Sequence, residues 1–437
     1  MTTPSYATRK TILAALCASN LAAIALLWWH GSGTQLAGGG AGALVAIGRL
    51  AGLLLEAALL LQLILISRIS FIEKTYGFDT LLSLHKKVGY ILAATLILHP
   101  LLLTVGYASL QNISLVDQFK GFITVGGLLP TLIGFLILLG VAVGSTPWIR
   151  RHLKYHYWRV THLLAYLGLF LIFGHQLTGT DLGAGWPLAY WLILNNAVFG
   201  LLVAYRALLP FAQFFRHRFT VTIVKQESQD AWSVTLTGKN MDCFAFEAGQ
   251  FLHVSFMQKG LREPHPFSFS QAWNGRDLRI TIKTSGDYTS RIKELRVGTH
   301  VLIEGPFGRF TERSAHTKKF LFIAGGIGVT PIRALIESLS SKKSDMHLMY
   351  AARTAADLVF KSELEQWTKP TYILSASEDP TCEYGYCDKE KIMRLVPDFL
   401  ERDIYICGPE IMMKSVVTIL LELGVPKAQI HHEKFGY

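Results

Sequence analysis

Residues 84–100 read LHKKVGYILAATLILHP, and residues 160–175 read VTHLLAYLGLFLIFGH. Each stretch is apolar enough to sit in a bilayer, and each carries a histidine near either end. These are His85 and His99 in the first, and His162 and His175 in the second. The intervals are 14 and 13 residues, which is about 21 and 20 Å along an α-helix rising 1.5 Å per residue. Ionisable side chains at membrane depth are costly to insert and usually functional, so this pattern organises the reading of the whole chain.

Six stretches hold the roughly 20 apolar residues that a membrane-crossing helix needs. They lie at about 11–29, 43–67, 84–106, 121–143, 157–177 and 187–209. The chain is 51% hydrophobic and only 17% charged, and nearly all of the long apolar runs fall before residue 210. The net charge of +11 is placed as a membrane protein places it, not as a nucleic-acid binder would. Arg9, Lys10, Arg68, Lys74, Lys86, Lys87, Arg150, Arg151, Lys154, Arg159, Arg206, Arg216 and Arg218 flank one side of the six segments. The opposite loops hold Lys120 as their one lysine or arginine. The positive-inside bias then puts both termini in the cytoplasm. For the first segment, with its short basic start and Ala-rich core, a cleaved signal peptide is the rival reading.

With that topology His85 and His162 share the cytoplasmic layer, and His99 and His175 share the outer one. A lone membrane histidine serves as well in a helix–helix hydrogen bond or a proton relay. Four in two matched layers point to paired axial ligands for two haem groups, one near each face. A 13-residue step turns an ideal helix by about 140°, so a kink or bulge near Gly168 is expected in the fifth helix. Arg49, near the outer face, suits a haem propionate or an anionic acceptor; snorkelling to the interface is the alternative. Glu56 calls for a polar partner near mid-membrane.

The remaining half reads as soluble and reduced. Of the five cysteines, four lie there, with no CxxC and no iron–sulfur spacing. A Cys382–Cys387 pair is the one bridge worth considering. From Phe219 to about Glu312 short alternating runs (FTVTIVKQ, WSVTLTGK, FLHVSF, LRITIKT, HVLIEGPFG) predict a small antiparallel β-barrel. From Lys319 strands and helices alternate (KFLFIAGG, TPIRALIESL, HLMYAAR, DLVFKSELEQW, TYILSAS, KEKIMRLV, DIYICGP, EIMMKSVVTILLEL), which predicts a parallel, Rossmann-like α/β sheet. GGIGVTP, with Gly325, Gly326, Gly328, Thr330 and Pro331, sits where a strand opens into a helix. There glycines admit a pyrophosphate and the helix start favours its charge. The expected organisation is a six-helix membrane bundle over 1–212, a barrel domain over 213–314 and an α/β domain over 315–437.

Taken together and in this order, these motifs resemble the ferric reductase / NADPH oxidase family, from about residue 45 to the C-terminus. The resemblance implies haem b on the four histidines. HPFSFS is similar to the family's flavin-binding motif, and implies that His265, Pro266, Phe267 and Ser268 hold FAD. GDYTS is similar to its second flavin segment, with Gly286, Tyr288, Thr289 and Ser290 around the pyrophosphate. Cys407, Gly408 and Pro409 resemble the motif beside the nicotinamide. The closing EKFGY resembles a C-terminal aromatic that shields the flavin, Phe435 first and Tyr437 second. Ser268, Cys407 and Phe435 are then the candidate catalytic residues.

The activity implied is electron transfer from cytoplasmic NAD(P)H through FAD and the haems to an acceptor outside, oxygen or ferric iron. A membrane conduit feeding a periplasmic redox protein is the alternative. Oxygen-reducing members carry a histidine where this chain has Leu103, which weakens superoxide formation. Arg353 and Thr354 end the second parallel strand, where NAD-specific folds often place an acid; this suits NADPH, with NADH left open. No EF-hand or other regulatory domain precedes the helices, so control by substrate supply or by a separate partner is expected. The compact chain points to a bacterial inner membrane.

Overall fold

A computed structural model gives the fold and describes residues 6–124, 127–177 and 181–433. The chain forms two compact units, residues 1–69 with 80–204, and residues 70–79 with 205–437.

The first unit is helical. Its elements are α1 (Tyr6–His30), α2 (Gly40–Ile66), and, beyond α3 (Ser70–Tyr76), α4 (Phe78–Gln111). After these come α5 (Leu115–Thr124), α6 (Leu129–Gly144), the short α7 (Pro147–Arg150), α8 (Tyr155–Gln176) and α9 (Gly185–Val203). Among the described residues five helices are long and apolar enough to cross a membrane. The count reaches six if α5 and α6 form one span, and these two meet at 109°. The fourth expected segment, 121–143, is therefore not one straight helix. α6 alone has 16 residues, about 24 Å at 1.5 Å per residue against a hydrocarbon core of about 30 Å.

α1 packs into the bundle, with Ile24 and Leu27 buried in one cluster with Leu53, Leu182 and Trp191. Asn20 donates to the Tyr190 hydroxyl at 3.0 Å. α8 is an uninterrupted α-helix, so the bulge that could have stood near Gly168 in place of a kink is absent. Gly168 instead lets two backbones meet: a Cβ there would lie 3.2 Å from the Gly134 carbonyl oxygen and 2.9 Å from Leu138. Small residues at such crossings are how helices gain dispersion contact where lipid supplies no hydrophobic drive.

The second unit begins with α3, continues through α10 (Leu209–His217) and then becomes mostly β. Strands β1 (Thr220–Gln226), β2 (Ala231–Thr237) and β5 (Asp277–Lys283) make one antiparallel sheet, ordered β1-β2-β5. Strands β3 (Phe251–Phe256), β4 (His265–Ser268) and β6 (Val301–Phe307) make another, ordered β4-β3-β6. The expected single barrel is thus two three-stranded sheets, bridged at Thr220–His300 and Phe269–Ile280. Both contribute to one core, with Val234, Leu236 and Ile280 from one sheet and Leu252, Val254 and Ile303 from the other. β4 carries Pro266 and lies at a sheet edge, the place where a residue without an N–H is tolerated.

The last part is a six-stranded parallel sheet ordered β10-β9-β8-β7-β11-β12. Its strands are β7 (Lys319–Gly325), β8 (Asp345–Ala352), β9 (Thr371–Leu374), β10 (Glu383–Tyr384), β11 (Asp403–Cys407) and β12 (Ile430–His432). Successive residues of β7 face opposite ways. Phe320, Phe322 and Ala324 enter the core with α11 (Val329–Ser340). Leu321 and Ile323 enter the core with α13 (Lys389–Leu395) and α14 (Glu410–Glu422). Between them α12 (Lys361–Leu364) is a single turn, where DLVFKSELEQW predicts a full helix. Phe360 has φ +65°, a left-handed conformation that stops an α-helix from propagating backwards. All five cysteines are free.

Candidate functional site

In the first unit α4 carries His85 and His99, and α8 carries His162 and His175. The helices bring them together in two pairs. The ring centroids of His85 and His162 are 6.2 Å apart, and those of His99 and His175 are 6.4 Å apart. This spacing tests whether one iron fits between each pair. An imidazole centroid lies about 1.1 Å behind its nitrogen and a metal–imidazole bond is about 2.0–2.1 Å, so two opposed ligands place their centroids about 6.2–6.4 Å apart. Both pairs fit.

At three of the four histidines Nδ1 is held as a ligand support should be, whereas Nδ1 of His85 is buried with no hydrogen-bond partner among the described residues. Nδ1 of His99 lies 2.8 Å from the Gly48 carbonyl oxygen, and Nδ1 of His175 lies 2.5 Å from that of Ile172. Nδ1 of His162 lies 3.1 Å from the Ser145 hydroxyl. A proton on Nδ1 puts the lone pair on Nε2, the tautomer a metal needs. Gln62 donates to the backbone carbonyl of His85 at 2.9 Å. Beside His162 is a cavity of about 280 Å³, lined in part by Gly140, Val141, Gly144, Ser145 and Trp158. A Cβ at Gly140 or Gly144 would meet nothing within 4 Å, so the helix face there is open. At the other layer Gly52 makes room for the His99 ring, because a Cβ would stand 2.5 Å from it.

Arg49 is on α2, next in sequence to the Gly48 that holds His99. It donates to the Tyr107 hydroxyl and lies 3.9 Å from the Asp181 carboxylate. Ser32 donates to the same carboxylate at 3.1 Å. Glu56 has its polar partner: Gln176, the neighbour of His175, donates to it at 2.8 Å, and Trp191 orients Gln176 by donating to its oxygen at 2.9 Å. Leu103 packs where a Cβ on Gly48 would lie, 2.9 Å away.

In the second unit the two expected flavin segments meet. His265, Pro266, Phe267 and Ser268 form β4, whose Ser268 is the register partner of Phe251. Gly286 and Tyr288 lead into a short 3-10 helix at Thr289–Glu294. The His265 and Tyr288 rings stack with centroids 3.6 Å apart. Burial, helped by the charge of Glu263, holds the Tyr288 hydroxyl well above its usual pKa, and it donates to the Leu261 carbonyl at 3.3 Å. The Thr289 hydroxyl accepts the backbone N–H groups of Ser285 and Gly286, at 2.9 and 3.1 Å. Ser290 follows in the same turn, its hydroxyl donating to the Asp287 carbonyl at 3.0 Å.

The nucleotide segments meet at the C-terminal ends of β7 and β11, where the strand order reverses. Open α/β sheets bind ligands at such a switch point. Gly328 is backed against the other strand, since a Cβ there would lie 2.4 Å from the Cys407 carbonyl oxygen and 2.6 Å from the Gly408 nitrogen. At Gly325 the nearest atoms would be Met412 at 2.4 Å and Pro409 at 2.9 Å. Gly326 has φ +51°, a conformation glycine adopts at little cost. Thr330 and Pro331 are buried in the first turn of α11. Cys407 is buried, and burial plus the nearby Glu433 charge hold its thiol far above the normal range. Arg353 is exposed just beyond β8, while Thr354 is committed to a capping box with Asp357. Phe435 and Tyr437 lie outside the described residues.

Sequence reasoning missed Glu73 and Glu433. Both are buried carboxylates at Gly308, the turn that closes EGPFG. Their separation in sequence hides the contact. The one available signal was an acid within the loop between the second and third spans. Gly48, Gly52 and Ser145, which shape the histidine layers, were missed for the same reason.

A family model described as ferric reductase like transmembrane component matches residues 51–173. An FAD-binding domain model matches residues 213–311, and an oxidoreductase NAD-binding domain model matches residues 322–418. The glycine betaine monooxygenase reductase subunit of Chromohalobacter salexigens is 28% identical over 237 residues, covering 51% of this chain and 64% of that protein. The flavohemoprotein of Vibrio cholerae is 30% identical over 210 residues, covering 44% of this chain and 52% of that protein. The chain thus spans about one half to two thirds of these curated relatives. Among solved structures, the FAD/NAD binding domain of nitric oxide dioxygenase from Vibrio cholerae aligns with a TM-score of 0.46 at 27% identity. It covers 50% of this chain and 99% of that one.

Proposed function

We propose that this chain, which belongs to the ferric reductase / NADPH oxidase-like family, carries electrons from NADPH through FAD and two haems to an acceptor across the membrane. The matched domains make it an integral membrane oxidoreductase with FAD- and NAD(P)-binding domains. The observation that carries the haem reading is the pair of imidazole spacings, 6.2 and 6.4 Å, on the same two helices. When bound, FAD would take one hydride, which carries two electrons, from the nucleotide and pass those electrons on singly to the haems.

The chain's own residues supply binding and orientation. Gly325, Gly326 and Gly328 let a dinucleotide backbone approach, with Cys407, Gly408 and Pro409 bordering the nicotinamide. Arg353, exposed just beyond β8, would meet a 2′-phosphate, which favours NADPH over NADH. His265, Pro266, Phe267, Ser268, Tyr288, Thr289 and Ser290 hold the flavin. His85 and His162 hold the cytoplasmic haem, and His99 and His175 the outer one. The backbone carbonyls of Gly48 and Ile172 keep the outer pair in the ligating tautomer. Arg49, between Tyr107 and Asp181, faces the acceptor side. Both termini lie in the cytoplasm of a bacterial inner membrane.

Oxygen and ferric iron are the acceptors to compare. The protein in liposomes, reduced anaerobically with NADPH, should reoxidise rapidly when oxygen or ferric citrate is admitted. Rapid reoxidation by either defines an enzyme in its own right. If neither small acceptor reoxidises it, the enzyme reading fails and a conduit to a redox protein replaces it.

A further inference from the structure

The loop between the second and third spans, residues 70–79, belongs to the second unit. Three ties hold it there. Glu73 accepts the Gly308 N–H at 2.9 Å, and Arg309 donates to the Thr75 carbonyl at 3.0 Å. The Phe78 ring meets Phe251 and His253 at centroid distances of 6.3 and 6.4 Å. Glu433 approaches Gly308 as well, for a Cβ there would lie 3.2 Å from both of its carboxylate oxygens. Gly308 has φ +101°, so the turn needs glycine on conformational grounds too.

Two carboxylates therefore converge on one backbone turn. Glu73 is 2% exposed and Glu433 is 8% exposed. Oε2 of each is buried without a hydrogen-bond partner among the described residues. Buried like charges at one site cannot both ionise cheaply. The other charged or titratable groups acting on the pair are Lys74 and Asp79 from the loop, Arg309 from the turn and Cys407 from β11. One lysine and one arginine do not offset the desolvation of two carboxylates.

We propose that Glu73 and Glu433 form a proton-sensitive clasp across Gly308 that fastens the loop between the second and third spans to the flavin and nucleotide domains. Burial pushes the Glu73 carboxyl up to about 7. Burial, with the Glu73 charge added, holds Glu433 well above the carboxylate range. Glu433 then keeps its proton at neutral pH, and Glu73 is the group that titrates. The sign follows from linkage. A docked Glu73 binds its proton more tightly than a solvated one, whose value is 4.5. The clasp is at full strength below that value and loosens as pH rises through about 7. Between pH 5 and pH 8 the docking equilibrium weakens on the order of fifty- to a hundredfold.

Hydrogen–deuterium exchange on the full-length detergent-purified protein tests this, with intrinsic exchange rates subtracted. In the wild type, protection of residues 70–79 should fall by tens of fold from pH 5 to pH 8. In Glu73→Gln it should not depend on pH, and in Glu433→Gln, which copies the protonated state, the wild-type dependence should persist. Constant protection in the wild type overturns the proposal without need of a variant. So does a wild-type response retained in Glu73→Gln, or one abolished in Glu433→Gln. The readout needs neither haem nor turnover, so it stands apart from the electron-transfer reading.

Discussion

Gly52→Ala should strip the outer haem and spare the inner one. A Cβ at position 52 would stand 2.5 Å from Cε1 and 2.6 Å from Nδ1 of His99, where ordinary contact begins at 3.4 Å. The ring must therefore withdraw by the difference, 0.9 Å (3.4 minus 2.5). A metal ligand tolerates about ±0.2 Å, so the shift takes the imidazole off its iron. The same shift strains the 2.8 Å contact between Nδ1 and Gly48 that sets the tautomer. Overpacking itself costs about 1–3 kcal/mol, which the bundle should survive. Pyridine haemochrome analysis of the purified variant should give one haem per flavin against two in the wild type. The retained haem should still be reduced by NADPH. Gly200→Ala is the control, since a Cβ there meets nothing within 4 Å, and it should keep both haems. Two haems with an unchanged spectrum in Gly52→Ala, or selective loss of the inner one, would refute the assignment of His99 to the outer layer.

Other outcomes follow from the reductase unit. Arg333 is buried between Glu363 and Glu337. Arg333→Ala leaves Glu363 with Arg279 alone and Glu337 with the Ala272 N–H, and should cost about 1–3 kcal/mol, read as an earlier flavin-release temperature. Burial pushes the Cys387 thiol up to about 12 and that of Cys407 further. Iodoacetamide at pH 8 should therefore label the exposed Cys243 and spare those two, as peptide mass spectrometry would reveal. Arg353→Ala should raise KM for NADPH several-fold and leave KM for NADH nearly unchanged; equal effects on both would remove the 2′-phosphate role.

The histidine layers were legible because each histidine interrupts an apolar run at a countable interval, and helix rise converts the count to depth. The strand-to-helix turn at GGIGVTP was legible for a similar reason: glycine and proline act locally. Direction was not legible. Hydropathy over 121–143 is blind to the 109° turn between α5 and α6, although VGGLLP carries a Gly-Gly pair and a proline. The close packing at Gly168 was not legible, because it rests on Gly134, on another helix. The helix expected over DLVFKSELEQW fails at Phe360, where tertiary packing imposes a left-handed conformation that no propensity signals. β4 is four residues long and holds a proline, so its alternation is too brief to read. The Glu73–Glu433 pair joins residues near opposite ends of the chain, and no local pattern reports such a contact.

The most direct test of the account is an anaerobic absorption spectrum of the purified wild-type protein before and after NADPH. Two bis-imidazole haems and one FAD per chain, all bleached or reduced by the nucleotide, are predicted. A spectrum with flavin alone, and no haem bands in either state, would contradict it.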